Sequence, residues 1–294
     1  MRLSHIFAAT ALGISTVAVA PAAATTTTQP TCTSPAPGAW TIDPATAAAP
    51  SGPGRPADPA TARRVRAGIG NFVACVNAGD PTRPDDLAAN PAATLFTVHF
   101  ITTFMHQDSY ASVPRVLGGL RIDRMRTLDV VAYPDGSFST EGTYLAYGHK
   151  LVHERWYWWP DTDGYLKVNK LEPLAPPVPA DAVPLDVEVG DYFYRPAATS
   201  VRAPHGKVVL RFHQTGAQRH EAILFRLPEG ATAEDLLGGK LTHDQVVTIG
   251  QDNGSDVMSL MALRPGTYTL ISFEPGPDGR PLALHGMTAR FRVR

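Results

Sequence analysis

The sequence predicts two folded units of different class, an α+β unit followed by an all-β sandwich. In the first half, apolar residues at helical spacing are followed by strand-like alternation. From residue 185 onward, short alternating stretches recur between Gly- and Pro-rich turns. Between the halves, Glu172 to Pro184 contains five prolines, which is typical of a semi-rigid linker. With 294 residues, the chain is long enough for two domains of ordinary size.

Composition and charge exclude some classes of partner. Hydrophobic residues make up 44% of the chain, which is enough for packed cores. The net charge is -1 and the sequence pI is about 6.8. Nothing in the charge therefore favours binding to nucleic acid or to an anionic membrane.

The N-terminus predicts a secretory signal peptide over residues 1–24. Arg2 supplies the positive end, Ile6 to Ala20 is apolar, and Ala22 to Ala24 fits a small-residue cleavage site. The alternative is a membrane anchor, but this apolar run is short for a bilayer and no later segment is apolar enough to span one. We therefore expect a secreted, extracytoplasmic protein without a membrane span.

The two cysteines, Cys32 and Cys75, predict a disulfide. They are the only pair in the chain, and an oxidising compartment favours joining them. The alternative is two separate thiols, one of them on a flexible tail.

Residues 25–60 form a low-complexity segment rich in Thr, Ala and Pro, which predicts a linker in which Trp40 and Ile42 dock on the fold. The first unit is predicted over residues 61–174. Its first helix, capped by Thr61 and ending near Gly79, has an apolar face made by Val65, Ile69, Phe72, Val73 and Val76.

A second buried helix is predicted within Asp85 to Met105, although Pro91 interrupts the pattern. Four strands are then predicted at Met125 to Tyr133, Phe138 to Tyr147, Lys150 to Trp159 and Tyr165 to Leu171.

Two sequence segments of the first unit resemble those of a known superfamily. Phe72 to Asp80 and Asp163 to Leu171 are similar to segments of the SnoaL-like, or nuclear-transport-factor-two-like, proteins. The resemblance implies a cone-shaped α+β domain with a curved sheet around helices. Because that superfamily contains cyclases, isomerases and non-catalytic members, it does not decide between an enzyme and a binding protein.

The second unit, residues 185–294 after a linker at 175–184, ends in a characteristic run. A turn at Pro265-Gly266 leads into alternation through Tyr268, a polar loop follows, and Met287 precedes a closing strand. This ending, and the segment Thr215 to Leu227 with His220, resemble a Greek-key cupredoxin-like domain. The resemblance implies a copper site in which Ser272 stands at the thiolate position and Leu282 at a histidine position.

Copper is the cofactor that the second resemblance raises. A blue copper site needs two imidazoles and a thiolate, with a weak axial Met, so Ser272 and Leu282 exclude one. A copper(I) site is the alternative hypothesis, because methionine and imidazole suit copper(I). His285 and Met287 would share a face of an extended segment, with Met258 and Met261 upstream. The competing interpretation is that these methionines pack in the core. The candidate metal residues are therefore His220, His285 and Met287, in a site interpreted as vestigial.

Other residues carry weaker chemical signals. His153-Glu154 lacks the second His of a zinc protease motif, while His99 and His106 near Asp108 could do acid–base work in a cavity. Alternation across Trp156 to Trp159 places Trp156 and Trp158 on one face and Tyr157 and Trp159 on the other, and either pair could line a cavity. No phosphate-binding loop or serine-hydrolase elbow is present.

These observations predict a secreted two-domain protein with a non-catalytic binding role, a degenerate copper site and no required cofactor. The alternatives are an extracytoplasmic copper(I) carrier and a SnoaL-type cavity enzyme acting as an isomerase or cyclase. The ligand is an unidentified small molecule or protein.

Overall fold

The structure is a computed structural model that describes residues 31–47, 50–83, 85–117, 119–162, 164–242, 245–252 and 256–294. The predicted signal peptide lies outside the described residues. No described helix is long and apolar enough to cross a membrane.

Helices concentrate in the first half of the chain. The α-helices are α1 (Pro44–Ala47), α2 (Pro59–Ala78), α3 (Val98–Thr103), α4 (Val113–Leu117) and α5 (Ala233–Leu237). Short 3-10 helices span Pro91–Leu95, Tyr110–Ser112 and Leu282–His285.

The strands are distributed over both halves of the chain. In the first half they are β1 (Arg55–Pro56), β2 (Ile122–Ala132), β3 (Phe138–Ala146), β4 (Lys150–Pro160) and β5 (Leu166–Pro173). The second half contains β6 (Val183–Gly190), β7 (Phe193–Pro196), β8 (Ser200–Val201), β9 (Val208–Gln214), β10 (Ala222–Arg226), β11 (Val247–Asp252), β12 (Val257–Leu260), β13 (Gly266–Ile271) and β14 (Thr288–Val293).

Helix α2 confirms the predicted apolar face but begins earlier than expected. Val65, Ile69 and Phe72 are at most 2% exposed. Its N-cap is Asp58, whose carboxylate accepts hydrogen bonds from the backbone N–H groups of Ala60 and Thr61 at 2.9 and 3.0 Å. The prediction of Thr61 as the cap was wrong because Asp58 stands directly before Pro59, and proline suits the first helical position.

The single helix expected within residues 85–105 is replaced by two short helices. The 3-10 helix Pro91–Leu95 ends before Thr97, whose hydroxyl caps α3 by accepting from the N–H of Phe100 at 3.1 Å. Phe96, between the two, forms an isolated parallel bridge with Val168 of β5. The backbone hydrogen bonds of this stretch therefore go partly to the sheet, and a continuous helix cannot form.

Strands β2 to β5 form an antiparallel sheet that packs on α2, so the α+β prediction for this half holds at the level of its elements. The alternation across Trp156 to Trp159 is also as predicted. Trp156 and Trp158 are buried, with ring centroids 5.5 and 5.6 Å from that of Phe72. The resemblance to SnoaL-like domains stays a prediction.

The segment before α2, predicted as a linker, is attached to the first unit at several points. Cys32 and Cys75 form the predicted disulfide. Trp40 makes an edge contact with Tyr110 at a centroid distance of 5.1 Å, and the Asn169 amide donates to the carbonyl of Thr46 at 2.8 Å. The partner residues in these contacts belong to the folded unit, distant in sequence from the segment. The composition of the segment alone therefore could not predict that it is attached.

The second half is a β-sandwich, as predicted. One layer continues the large sheet in the order β12-β9-β6-β7, and the other has the order β11-β10-β13-β14-β8. Buried side chains of both layers, including Leu210, Leu224, Tyr268 and Phe291, form one apolar cluster between them. The pairings β6–β9 and β8–β14 are parallel, and the other pairings within these layers are antiparallel.

The two halves have separate apolar clusters but share a sheet. Buried members of one cluster run from Ala62 to Val168 and those of the other from Leu185 to Val293. Strand β4 nevertheless pairs with β12 through Leu151 opposite Ser259 and Lys150 opposite Leu260. The division into independently folding domains at the proline-rich linker stays a prediction.

Candidate metal centre

The four positions that the cupredoxin resemblance singles out meet at one end of the sandwich. His220 stands two residues before β10, Ser272 directly follows β13, and Met287 directly precedes β14. Strand β13 pairs with both β10 and β14, so these strand ends are neighbours. The N–H of Ser272 donates to the carbonyl of Met287 at 3.3 Å. Leu282 is brought in by its own N–H, which donates to the carbonyl of Glu274 at 2.8 Å.

The imidazole of His220 is buried and already has a partner. Its Nδ1 lies 2.6 Å from Oε2 of Glu274, a distance typical of a short charge-assisted hydrogen bond. Its Nε2 is buried without a hydrogen-bond partner among the described residues, and Oδ1 of Asp191 lies 3.9 Å away. The nitrogen Nδ1 is thus hydrogen-bonded to a carboxylate, while Nε2 has no hydrogen-bond partner among the described residues.

Glu274 and Glu221 connect the loop after β13 to the start of β10. The second oxygen of Glu274 accepts from the N–H of Glu221 at 3.2 Å, and Oε1 of Glu221 accepts from the N–H of Phe273 at 2.9 Å. Burial raises the pKa of the Glu221 carboxyl, and the nearby Glu274 charge acts in the same direction. The hydroxyl of Tyr194 donates to the carbonyl of Glu221. These hydrogen bonds join the loop after β13 to the start of β10.

The remaining positions offer few metal donors. Ser272 is fully buried, and its hydroxyl accepts from the N–H of Glu274 at 3.4 Å. Leu282 is a hydrocarbon side chain in the core, and Met287 is fully buried in the same apolar cluster. One imidazole nitrogen and one thioether do not fit a blue copper centre, which needs two imidazoles and a thiolate.

His285 does not lie beside Met287 as the sequence spacing suggested. The two are not in an extended segment, because Leu282–His285 is a 3-10 helix and Gly286 follows it in a left-handed conformation with φ of 104°. His285 is exposed, with Nε2 2.9 Å from Oδ1 of Asp278. Met287 points into the core, so the turn at Gly286 separates the two side chains.

The upstream methionines and the other histidines are used in packing and hydrogen bonding. Met258 is fully buried in the sandwich core. Nδ1 of His149 lies 3.0 Å from the carbonyl of Met261, and Nδ1 of His153 lies 3.0 Å from that of Ala175. Over the described part of the chain, no group of three or more His, Cys, Asp and Glu side chains is placed to hold a metal ion.

A small pocket in the first unit lies beside β4 and is lined by Tyr157, Trp158 and Trp159 of that strand. Its lining includes Tyr157, Trp159, His99 and Phe104, and its volume is about 250 Å³. Burial lowers the pKa of His99, whose Nδ1 lies 3.4 Å from the hydroxyl of Thr103. Among the described residues no hydrogen bond joins His99 or His106 to Asp108, so the expected acid–base pair is not assembled.

Sequence reasoning missed Glu274 and Glu221, which give the site its electrostatic character. Glu274 lies two residues after the thiolate position, and Glu221 directly follows His220. The sequence did show a carboxylate close to each of two separated motif positions. That pattern predicts a contact only once β10 is known to pair with β13, which brings the two acids together.

No protein-family model matches the chain, and no curated protein matches it. Among solved structures, one match is auracyanin B, which is 19% identical over 41% of this chain and 94% of its own, with a TM-score of 0.28. Another is an azurin, Az-iso2, from the obligate methylotroph Methylomonas sp. strain J. It is 17% identical over 38% of this chain and 98% of its own, with a TM-score of 0.25.

Proposed function

We propose that this protein is an extracytoplasmic, non-catalytic binding protein whose C-terminal sandwich is a cupredoxin-like frame without a working copper centre. The observation that carries this proposal is the short contact between Nδ1 of His220 and Glu274 at 2.6 Å. The carboxylate occupies Nδ1, so a metal ion could bind that nitrogen only by displacing Glu274.

The donor set supports the same conclusion. A thiolate gives a blue copper centre its strong colour and much of its affinity, and Ser272 offers only a buried hydroxyl. Leu282 offers no donor. His220 and Met287 would leave copper with two protein ligands, and in the carboxylate-bound state His220 can use only Nε2.

The extracytoplasmic location rests on the predicted signal peptide and on the Cys32–Cys75 disulfide, which is typical of oxidising compartments. The binding role rests on the pocket beside Tyr157 and Trp159, where aromatic surface is open to a small molecule. The imidazole of His99 adds a polar group to its lining.

A gain-of-function experiment tests the cupredoxin-like frame. We expect the wild-type protein to give no intense visible absorption with Cu(II), because it has no thiolate. The variant Ser272→Cys with Leu282→His and Glu274→Gln restores the missing donors and removes the carboxylate charge beside Nδ1 of His220. We expect this variant to develop an intense blue band with Cu(II), and a variant with only Leu282→His and Glu274→Gln to remain colourless. A folded triple variant without the band contradicts the proposed frame.

A copper(I) carrier is the second candidate, and the unpartnered buried Nε2 of His220 favours it. Titration under reducing conditions with a competing copper(I) chelator separates the two functions. The degenerate-site proposal predicts no stoichiometric copper(I) retention. Retention that survives the chelator, is lost in Met287→Leu and His220→Gln, and persists in His205→Ala would establish the carrier instead. His205 is a suitable control because it is an exposed histidine of the same half.

A further inference from the structure

Two arginines and two threonines form a ladder on the outer face of the second sheet. In the pairing of β13 with β14, Thr267 lies opposite Arg292 and Thr269 lies opposite Arg290. The alternate residues of the same strands, including Tyr268 and Phe291, are buried in the sandwich core. Because side chains alternate along a strand, the arginines and threonines share the face that points away from that core.

A third arginine reaches the same place from the neighbouring strand. Arg226 ends β10, and its Nη2 donates to the carbonyl of Pro265 at 3.4 Å. A Cβ at Gly266 would come within 3.3 Å of Nε of Arg226, so glycine at this position leaves room for the guanidinium. With the turn at Glu229 to Ala231, these residues line a recess of about 380 Å³.

The recess has an excess of positive charge that no salt bridge among the described residues neutralises. Its lining holds three arginines and one acid, Glu229, which gives a formal charge of 3 − 1 = +2. Among the described residues, none of Arg226, Arg290 and Arg292 forms a salt bridge. Arg290 donates to the carbonyl of Ala231, which tethers its guanidinium at the edge of the recess and leaves its other N–H groups available.

We infer that this recess binds a tetrahedral oxyanion, the phosphate or sulfate group of a soluble small molecule. Arginine forks match the oxygens of such groups with two parallel hydrogen bonds, and the hydroxyl of Thr267, which is exposed, can donate one more. Thr269 is only 2% exposed and is not counted as a donor. Three guanidinium groups and one hydroxyl still offer more donors than the two oxygens of a carboxylate can use. This site is independent of the copper question, since it lies on the outer face of the sheet.

A soluble ligand is favoured over a polyanionic surface. The charge is concentrated in a recess of one sheet, while the whole chain has a net charge of -1. Binding to a membrane or a polymer would instead favour an extended basic surface.

Calorimetric titration of the full chain with sulfate, phosphate and acetate at constant low ionic strength tests the site. We expect saturable binding of one sulfate or phosphate, and acetate binding at least about tenfold weaker. Removing one charged hydrogen bond by Arg290→Gln or Arg292→Gln should weaken sulfate binding by about tenfold or more. The control Arg211→Gln, at an exposed strand arginine of the other layer, should change it less than about twofold.

The thermal midpoint of each variant, measured without anion, shows that it is folded. Absence of saturable sulfate or phosphate binding overturns the inference, as does equal affinity for acetate. An equal loss in Arg211→Gln would show non-specific screening and also overturns it. Co-sedimentation with phosphatidylglycerol vesicles that is abolished by Arg292→Gln, without binding of free phosphate or sulfate, overturns the assignment of a soluble ligand.

Discussion

Replacing Met287 by alanine separates a packing role from a metal-binding role. Met287 is fully buried in the apolar cluster between the two layers of the sandwich. Truncating a buried methionine removes hydrophobic contacts and leaves a cavity, which together destabilise proteins by about 2–5 kcal/mol. Because no part of this side chain reaches solvent and both sheets surround it, we expect a loss of about 3 kcal/mol.

The matched variant Met287→Leu keeps nearly the same volume and removes the sulfur. For a packing role we expect a loss below about 1.5 kcal/mol, since isosteric hydrophobic replacements are tolerated. The control Met261→Ala, at a half-buried position, should cost less than the truncation at Met287. Urea unfolding followed by far-ultraviolet circular dichroism gives the free energies of unfolding of all variants.

The outcome that refutes this reasoning is specific. A loss below about 1 kcal/mol for Met287→Ala would mean that the core closes around the site or that the side chain is not packed as described. A metal role would instead appear as copper(I)-dependent stability that is lost equally in the alanine and leucine variants.

Three further predictions concern the disulfide, the domains and the pH dependence. Alkylation of the unreduced, denatured protein should label neither Cys32 nor Cys75, and reduction should destabilise the fold by up to about 4 kcal/mol for their sequence separation of 43; labelling of both cysteines would contradict the bond. Proteolysis between residues 174 and 182 should release two stable fragments. Since all four tryptophans precede residue 160, Met287→Ala should shift the dichroism transition without shifting tryptophan fluorescence; a joint shift would mean that the β4–β12 pairing couples the halves. Burial raises the pKa of Glu154 above its ordinary value of 4.5, so the native state holds more protons, and the free energy of unfolding should fall as pH rises from that value through the raised one. Hydrogen bonds from Lys240 and Thr232 lower the pKa of Asp235 to about 2, so its contribution should be lost as pH falls from 3.8 towards that value. The variant Glu154→Gln should reduce the pH dependence of the free energy of unfolding above pH 4.5, and Asp235→Asn should reduce it below pH 3.8. An unchanged pH dependence in either variant would contradict the role assigned to that carboxyl group.

Features that depend on neighbouring residues were predictable from the sequence. The apolar face of α2 and the alternation through Trp156 to Trp159 both depend on local periodicity. The disulfide was predictable because only one cysteine pair exists. The strands β2 to β5 also began and ended within a few residues of the predicted positions.

Features that depend on contacts between distant residues required the tertiary structure. A period of two shows which side chains share a face of a strand, but not which strand lies beside it. The pairing of β10 with β13 therefore decides that Glu274 meets His220 and that Arg226 joins Arg290 and Arg292. In the same way, the turn at Gly286 decides that His285 faces solvent while Met287 lies in the core, although sequence spacing alone placed them on one face.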